Sequence, residues 1–302
     1  MKLGLLTAAF PELSLEEVAA WASAEGFQAL EIACWPRSGG EMRRYAGVCH
    51  LDVESLDVEG VQGLLAKHGL EISALSYYPN NLHPDDEHRR AVNAHLCKVV
   101  DAAHQLGVGV VGTFIGNDKD KPLPENLRRF REIWPPLVHY AAERGVKVAI
   151  ENCPMIFSWD EWPGGNNLAW APAIWDEMFQ AVPETNFGLN LDPSHLVWLM
   201  IDAERVVHDY GERIFHVHAK DLEIRKEGLY RHGVLSAGMG WQVPRLPGLG
   251  QVNWPRLFAA LYEAGYDGAV SVEHEDRSFE GSTELVKKGF LLARDVLRPY
   301  LQ

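Results

Sequence analysis

Short apolar runs, too dense to alternate between a core face and a solvent face, recur along the whole chain. In order they are KLGLLT (2–7), FQALEIA (27–33), LEISALS (70–76), VGVVGTF (108–114), VKVAIEN (146–152), NFGLNLD (186–192), RIFHVHA (213–219) and GAVSVEH (268–274). Continuous runs of this kind suit strands buried on both faces, as in a parallel sheet. Between them lie segments of helical period at 14–25, 86–105, 125–144, 171–181, 202–211, 253–264 and 283–298. The first opens with Ser14 and Glu17 in capping-box spacing. Gly26, Gly69, Gly107, Gly145 and Gly265 stand where helices end before the next strand. The phrase recurs as AEGFQAL, KHGLEIS, QLGVGVV, ERGVKVA and EAGYDGAV. Eight such units in 302 residues average about 38 residues each. Right-handed βα crossovers of that size close into a (β/α)₈ barrel, with residues 1–302 as a single domain. The rival, an open doubly wound sheet, lacks its Gly-rich phosphate turn after the first strand.

Composition narrows the function. At 47% hydrophobic and 23% charged, the chain is that of an ordinary globular protein. Its 28 basic and 42 acidic residues leave a net charge of −14, which repels phosphate backbones and argues against nucleic acid as a partner. Cys34, Cys49, Cys97 and Cys153 have no C-x-x-C spacing, so reduced thiols in a cytoplasmic protein are expected. The N-terminus reaches charge and proline too early for a signal peptide, and no apolar run is long enough to span a bilayer.

Barrel chemistry sits at the C-terminal ends of the strands. Those ends carry Glu31 on the second strand, Glu151 on the fifth, Asp192 on the sixth, His218 on the seventh and Glu273 on the eighth. The last four come from consecutive strands and can converge at the barrel mouth. Converging carboxylates repel one another unless a cation intervenes, and an O₃N set suits Mn²⁺, Co²⁺, Mg²⁺ or Zn²⁺.

EN at 151–152, NLDPSH at 190–195, HVHAKD at 216–221, PGLGQVNW at 247–254 and SVEHED at 271–276 occur in order on these strands. With them the chain resembles the sugar-phosphate isomerase/epimerase superfamily, whose barrel is xylose isomerase-like and which includes ketose 3-epimerases, inosose dehydratases and endonuclease IV. The resemblance implies one divalent ion, with Mn²⁺ as the expected metal, on Glu151, Asp192, His218 and Glu273. It assigns the proton-transfer roles to Glu151 and Glu273, and a substrate contact to His195. The expected activity is isomerisation or epimerisation of a ketose or keto-sugar through an enediolate. An inosose-type dehydratase or a keto-glycoside lyase is the alternative on the same site, and a non-catalytic sugar-binding barrel is the rival from another class.

Other residues are candidates for lining the site. His216 lies two residues before His218 on one strand face and reads equally well as a core histidine. Lys220 and Asp221 complete HAKD, with Lys220 either facing substrate or pairing with Asp221 at the surface. Trp35 and Glu31 follow the second strand near the mouth. The long segments 153–172 and 222–250 bring Trp159, Trp162, Trp170, Arg225, His232, Trp241 and Arg245, of which Arg245 is the preferred ligand for a substrate oxygen or carboxylate. The Trp rings suit sugar stacking or packing of loop against barrel. Endonuclease-type DNA repair is a poor fit: SYYPNN and GTFIGND lack histidine at their strand ends, and the net charge of −14 disfavours a DNA substrate. The expected partner is a small sugar, and a homo-oligomer is compatible with the Trp-rich loops.

Overall fold

The computed structural model describes residues 1–37, 47–156, 165–235 and 240–301. Its strands are β1 (Lys2–Leu6), β2 (Ala29–Ala33), β3 (Glu71–Ser76), β4 (Val110–Thr113), β5 (Lys147–Glu151), β6 (Phe187–Leu191), β7 (Ile214–Ala219), β8 (Asp221–Ile224), β9 (Gln242–Arg245) and β10 (Ala269–Val272). The helices are α1 (Leu15–Ala24), α2 (Val58–His68), α3 (Asp86–Leu106), α4 (Leu123–Ala142), α5 (Pro172–Ala181), α6 (Pro193–Trp198), α7 (Ala203–Tyr210), α8 (Lys226–His232), α9 (Trp254–Glu263) and α10 (Thr283–Leu297).

Eight strands form a closed barrel in the order β1-β10-β7-β6-β5-β4-β3-β2, with β2 returning to β1 in parallel register at Gly4↔Ala29. These are the eight apolar runs of the sequence, and β2, β6 and β10 are buried at every position. Burial on both faces explains the missing alternation: one face fills the barrel and the other meets the helices. Leu5, Leu30, Ile32, Leu75, Phe187, Trp134 and Phe290 are among the buried residues of the continuous core.

The ends follow local chemistry. Ser14 and Glu17 make the reciprocal capping box on α1. Gly69 and Gly107 end α2 and α3 in the left-handed region at φ 63° and 73°, where a side chain would be strained. Helix α2 escapes the reading because Gly60 and Gly63, both on its exposed side, lower its helical propensity. It is built nonetheless, with Asp57 Oδ1 accepting from Gly60 N at 2.9 Å.

The segment 222–250, expected as a long loop, contains structure of its own. β8 and β9 pair antiparallel from Asp221↔Arg245 to Ile224↔Gln242 and flank α8. Leu222 and Trp241 pack with Ile156 and Trp198 in a second apolar cluster above the barrel.

Candidate functional site

Glu151, Asp192, His218 and Glu273 arrive from the ends of β5, β6, β7 and β10, neighbours in the barrel order. Their ligand-type atoms all lie within 4.8 Å of one another, and all four residues are buried. His218 Nδ1 is 3.2 Å from Glu273 Oε2 and 3.8 Å from Glu151 Oε1. Glu273 has the most accessible side chain of the four, 11% exposed against 3% for Glu151. The cluster is therefore reached from its Glu273 side.

Lys220 does not pair with Asp221 at the surface. Its ammonium is buried in the cluster, 2.6 Å from Glu273 Oε2, 2.9 Å from Asp192 Oδ2 and 3.1 Å from Glu275 Oε2. His195, on α6 beyond Asp192, places Nε2 3.2 Å from both Glu151 Oε1 and Asp192 Oδ2. On the far side of the imidazole, His218 Nε2 is 2.8 Å from Glu31 Oε2. Tyr78 donates its hydroxyl to Glu31 Oε1 at 2.7 Å.

The electrostatics follow from burial set against these contacts. Burial opposes ionisation of Glu151, but the hydrogen bond from His195 and the nearby charges of Lys220 and His218 bring its pKa to about 2. The same contest holds Asp192 low, chiefly through Lys220 and His195. For Glu273 burial wins and raises the pKa. Burial disfavours the charged forms of Lys220 and His218, yet the surrounding carboxylates hold both well above their ordinary range. So protons and one ammonium neutralise an excess of buried carboxylates.

The donor set fits a divalent ion. His218 Nδ1 is buried and makes no hydrogen bond among the described residues, while Asp192 Oδ2 is held by the charges of Lys220 and His195. Orphaned atoms of this kind are costly unless something else satisfies them. Three carboxylates and one imidazole within one coordination sphere suit ions between hard Mg²⁺ and borderline Zn²⁺.

The other expected residues are placed as follows. His216 is buried one step deeper in the barrel, its Nδ1 3.0 Å from Asn190 Oδ1 and its Nε2 3.2 Å from both Ser73 and Ser271 hydroxyls. Burial, with Glu31 opposing, brings its pKa down to about 4, which fits the core-histidine reading. Trp35 is buried against Tyr77 and Tyr78, with ring centroids 5.9 and 6.1 Å apart, and forms a wall beside Glu31. Arg245 begins no contact with the cluster: Nε donates to Glu223 and Nη1 to Asp276 and Ser278. Arg225 is half exposed beside Glu223, and His232 is exposed. Trp170 and Trp241 pack into the two apolar clusters. Trp159 and Trp162 lie outside the described residues. Sequence reasoning passed over Tyr78 and Glu275. Glu275 was signalled by its place two residues beyond Glu273 in SVEHED, and Tyr78 by following the third strand's end.

A surface cavity of about 580 Å³ lies elsewhere, lined by Tyr210, Arg213 and Glu263 at the entry to β7. That is the N-terminal end of the barrel, opposite the face where barrel active sites lie. Among the described residues no helix is long and apolar enough to cross a membrane.

Comparison with known proteins gives the family of the fold. The family model described as xylose isomerase-like TIM barrel matches residues 19–296. The uncharacterized protein YfiH of Bacillus subtilis (strain 168) is 28% identical over 316 residues, 91% of this chain and 93% of YfiH. An inosose dehydratase of Clostridium perfringens (strain 13 / Type A) is 30% identical over 201 residues, 63% of this chain and 61% of that protein. Among solved structures, D-psicose 3-epimerase with D-tagatose from Clostridium cellulolyticum H10 has a TM-score of 0.70 at 17% identity, covering 100% of both chains. The IOLI protein with a binding zinc atom has a TM-score of 0.72 at 19% identity over 99% of each chain. At such identities these two establish the fold alone. With the family match running over nearly the whole barrel, the chain belongs to the xylose isomerase-like TIM barrel family.

Proposed function

We propose that this chain is a divalent-metal-dependent isomerase or epimerase of a ketose or keto-sugar, acting through an enediolate. The observation that carries the reading is the convergence of Glu151, Asp192, His218 and Glu273, with His218 Nδ1 left without a hydrogen bond among the described residues. These four would hold the ion, with Mn²⁺ as the expected metal, and residues 1–302 act as one domain. When bound, the ion supplies positive charge beside the substrate carbonyl, which makes the neighbouring C–H more acidic.

Proton movement then belongs to side chains. Glu151 and Glu273 stand at the two flanks of the four-strand arc. One takes the proton from a carbon next to the carbonyl, and the other returns a proton from the opposite side. Return to the same carbon inverts it; return to the former carbonyl carbon, with the neighbouring hydroxyl's proton passing to the former carbonyl oxygen, isomerises the sugar. His195 and Lys220, both in contact with these carboxylates, bind substrate oxygens, and Trp35 bounds the site. Arg245 is already committed to Glu223 and Asp276, so we assign it to ordering the β8–β9 hairpin. The D-psicose 3-epimerase likeness supports this reading of the barrel.

Dehydration is the second reading, favoured by the inosose dehydratases among the sequence relatives. The same proton abstraction followed by loss of a β-hydroxyl as water gives that outcome. The free cysteines support a cytoplasmic setting. A panel of ketoses, inososes and 3-keto-glycosides incubated with Mn²⁺ in D₂O tests the proposal. Deuterium entering substrate or an epimer supports it, loss of water without exchange-back selects the dehydratase, and no exchange with any member overturns both.

A further inference from the structure

The carboxylate of Glu31 is fully buried, and no lysine or arginine contacts it among the described residues. A buried carboxylate without such a partner is costly, so its surroundings must supply the compensation. They do so from one direction. Its Oε2 faces His218 Nε2 at 2.8 Å and its Oε1 accepts the Tyr78 hydroxyl at 2.7 Å. The pocket is shaped for this: a Cβ on Gly112 would lie 2.5 Å from the Tyr78 hydroxyl and 3.5 Å from Glu31 Oε1. A glycine on β4 thus makes the room in which Tyr78 reaches Glu31.

We propose that Glu31 is a positioning residue for the metal site, fixing the His218 imidazole as the tautomer that keeps its proton on Nε2 and offers the Nδ1 lone pair to the ion. This rests on the metal-site reading above. A neutral imidazole has a single N–H, and the partner of one nitrogen decides what the other can do. An ionised carboxylate only accepts, so the nitrogen at 2.8 Å from Glu31 must carry hydrogen. When the ring carries a single proton, Nδ1, which points at Glu151 and Glu273, is then the lone pair left for an ion, and the second proton of the charged ring is the one the ion displaces.

A competitor exists on the same nitrogen. Asn190 Nδ2 lies 3.0 Å from His218 Nε2, and by donating there it would force the proton onto Nδ1 and close the site to metal. Two observations decide against it. The Glu31 contact is the shorter and carries a full charge, and charge-assisted hydrogen bonds are about twice as strong as neutral ones. The Asn190 amide also has the Tyr78 oxygen as an acceptor at 2.9 Å, so it loses nothing. Tyr78 therefore serves twice, donating to Glu31 and drawing Asn190 away from the imidazole.

The test uses the full chain with histidine ¹⁵N-labelled and Zn²⁺ as a diamagnetic probe, together with Mn²⁺ titrations of wild type, Glu31→Gln and Tyr78→Phe. In Zn²⁺-loaded wild type, His218 should show a metal-bound Nδ1 and a strongly downfield Nε2 proton. Glu31→Gln, which is isosteric and can still accept from Nε2, should move that proton upfield and raise the Mn²⁺ dissociation constant by about 10- to 100-fold. Tyr78→Phe should weaken binding by a smaller factor. A proton found on Nδ1, or a Glu31→Gln protein with wild-type Mn²⁺ affinity and an unmoved Nε2 proton, overturns the positioning role while leaving the metal site standing. A wild-type protein that binds neither ion overturns the metal-site reading and this inference together. The wild-type spectrum alone decides the tautomer should Glu31→Gln fail to fold.

Discussion

Two buried ionic clusters sit at the same end of this barrel, and they are built in opposite ways. Around Asp221 and Asp276 every acceptor is filled. Asp221 Oδ1 accepts from Leu222 N and Val252 N at 2.9 Å, and its Oδ2 accepts from Gly248 N and Trp254 Nε1 at 3.0 Å. Asp276 accepts from Arg245 Nη1 at 3.0 Å and Ser278 N at 2.9 Å. Around Glu151, Asp192, His218 and Glu273 the charges crowd, and His218 Nδ1 makes no hydrogen bond among the described residues. A saturated network fixes one conformation of the chain. An unsaturated one retains capacity for a ligand, and the fold tolerates its cost because the rest of the core is apolar and continuous. Residue type does not separate the two, since both are rich in carboxylates. Satisfaction does.

The largest expected effect is on the unsaturated side. Glu151→Gln and Glu273→Gln should each lose on the order of 10²–10⁴ in turnover while keeping the fold, the usual worth of a positioned acid or base. Turnover at the wild-type rate in both variants would erase the contrast between the clusters. On the saturated side, Asp221→Ala leaves buried N–H donors without an acceptor. It should cost about 3–5 kcal/mol in urea unfolding, since each stranded buried donor costs about 1–3 kcal/mol, with metal content per folded chain unchanged.

Metal binding should act on the unsaturated cluster alone. Mn²⁺ at about 100 times its dissociation constant should add roughly 2.7 kcal/mol of stability in thermal melts, reversed by a chelator. An equal rise in Asp192→Ala would place the ion elsewhere. Arg245→Met should cost about 1–2 kcal/mol of stability, with kcat and KM close to wild type. A large rise in KM instead would return Arg245 to the substrate and blur the boundary between the clusters.

The smallest effect concerns His50, which ties the β1–α1 connection to the segment after Gly47. Its Nδ1 lies 2.9 Å from Thr7 Oγ1 and its Nε2 3.0 Å from Leu13 O. Burial lowers its pKa below 6.5, only partly offset by the Leu13 and Phe10 carbonyls. The unfolded chain therefore takes up a proton at a higher pH than the folded one. The stability from a neutral His50 is complete above pH 6.5 and is lost as pH falls below it. Denaturant midpoints measured across that range should slope downward with acid, and His50→Gln should flatten the slope. An unchanged slope would mean that other groups set it.

The strands were legible because each is a local statement: NFGLNLD is apolar wherever it lies, and β6 falls within it at Phe187–Leu191. The four converging residues were legible for the same reason, since a strand's end can be read from its run and the barrel's closure then makes consecutive ends neighbours. Helix α2 was obscured by Gly60 and Gly63, and the β8–β9 hairpin by a pattern spread across residues 222–250, because in both cases tertiary packing supplied what local propensity did not. The standing of individual polar groups was decided only in three dimensions. Lys220 and Arg245 are both basic residues near the mouth, yet one is buried among the cluster's carboxylates and the other is saturated by the hairpin. Glu31 meets His218 across 187 positions of sequence. The sequence determines which side chains reach the end of the barrel, because that depends on period and strand length. Which of them are satisfied there depends on distances between distant segments, and only the closed barrel sets those.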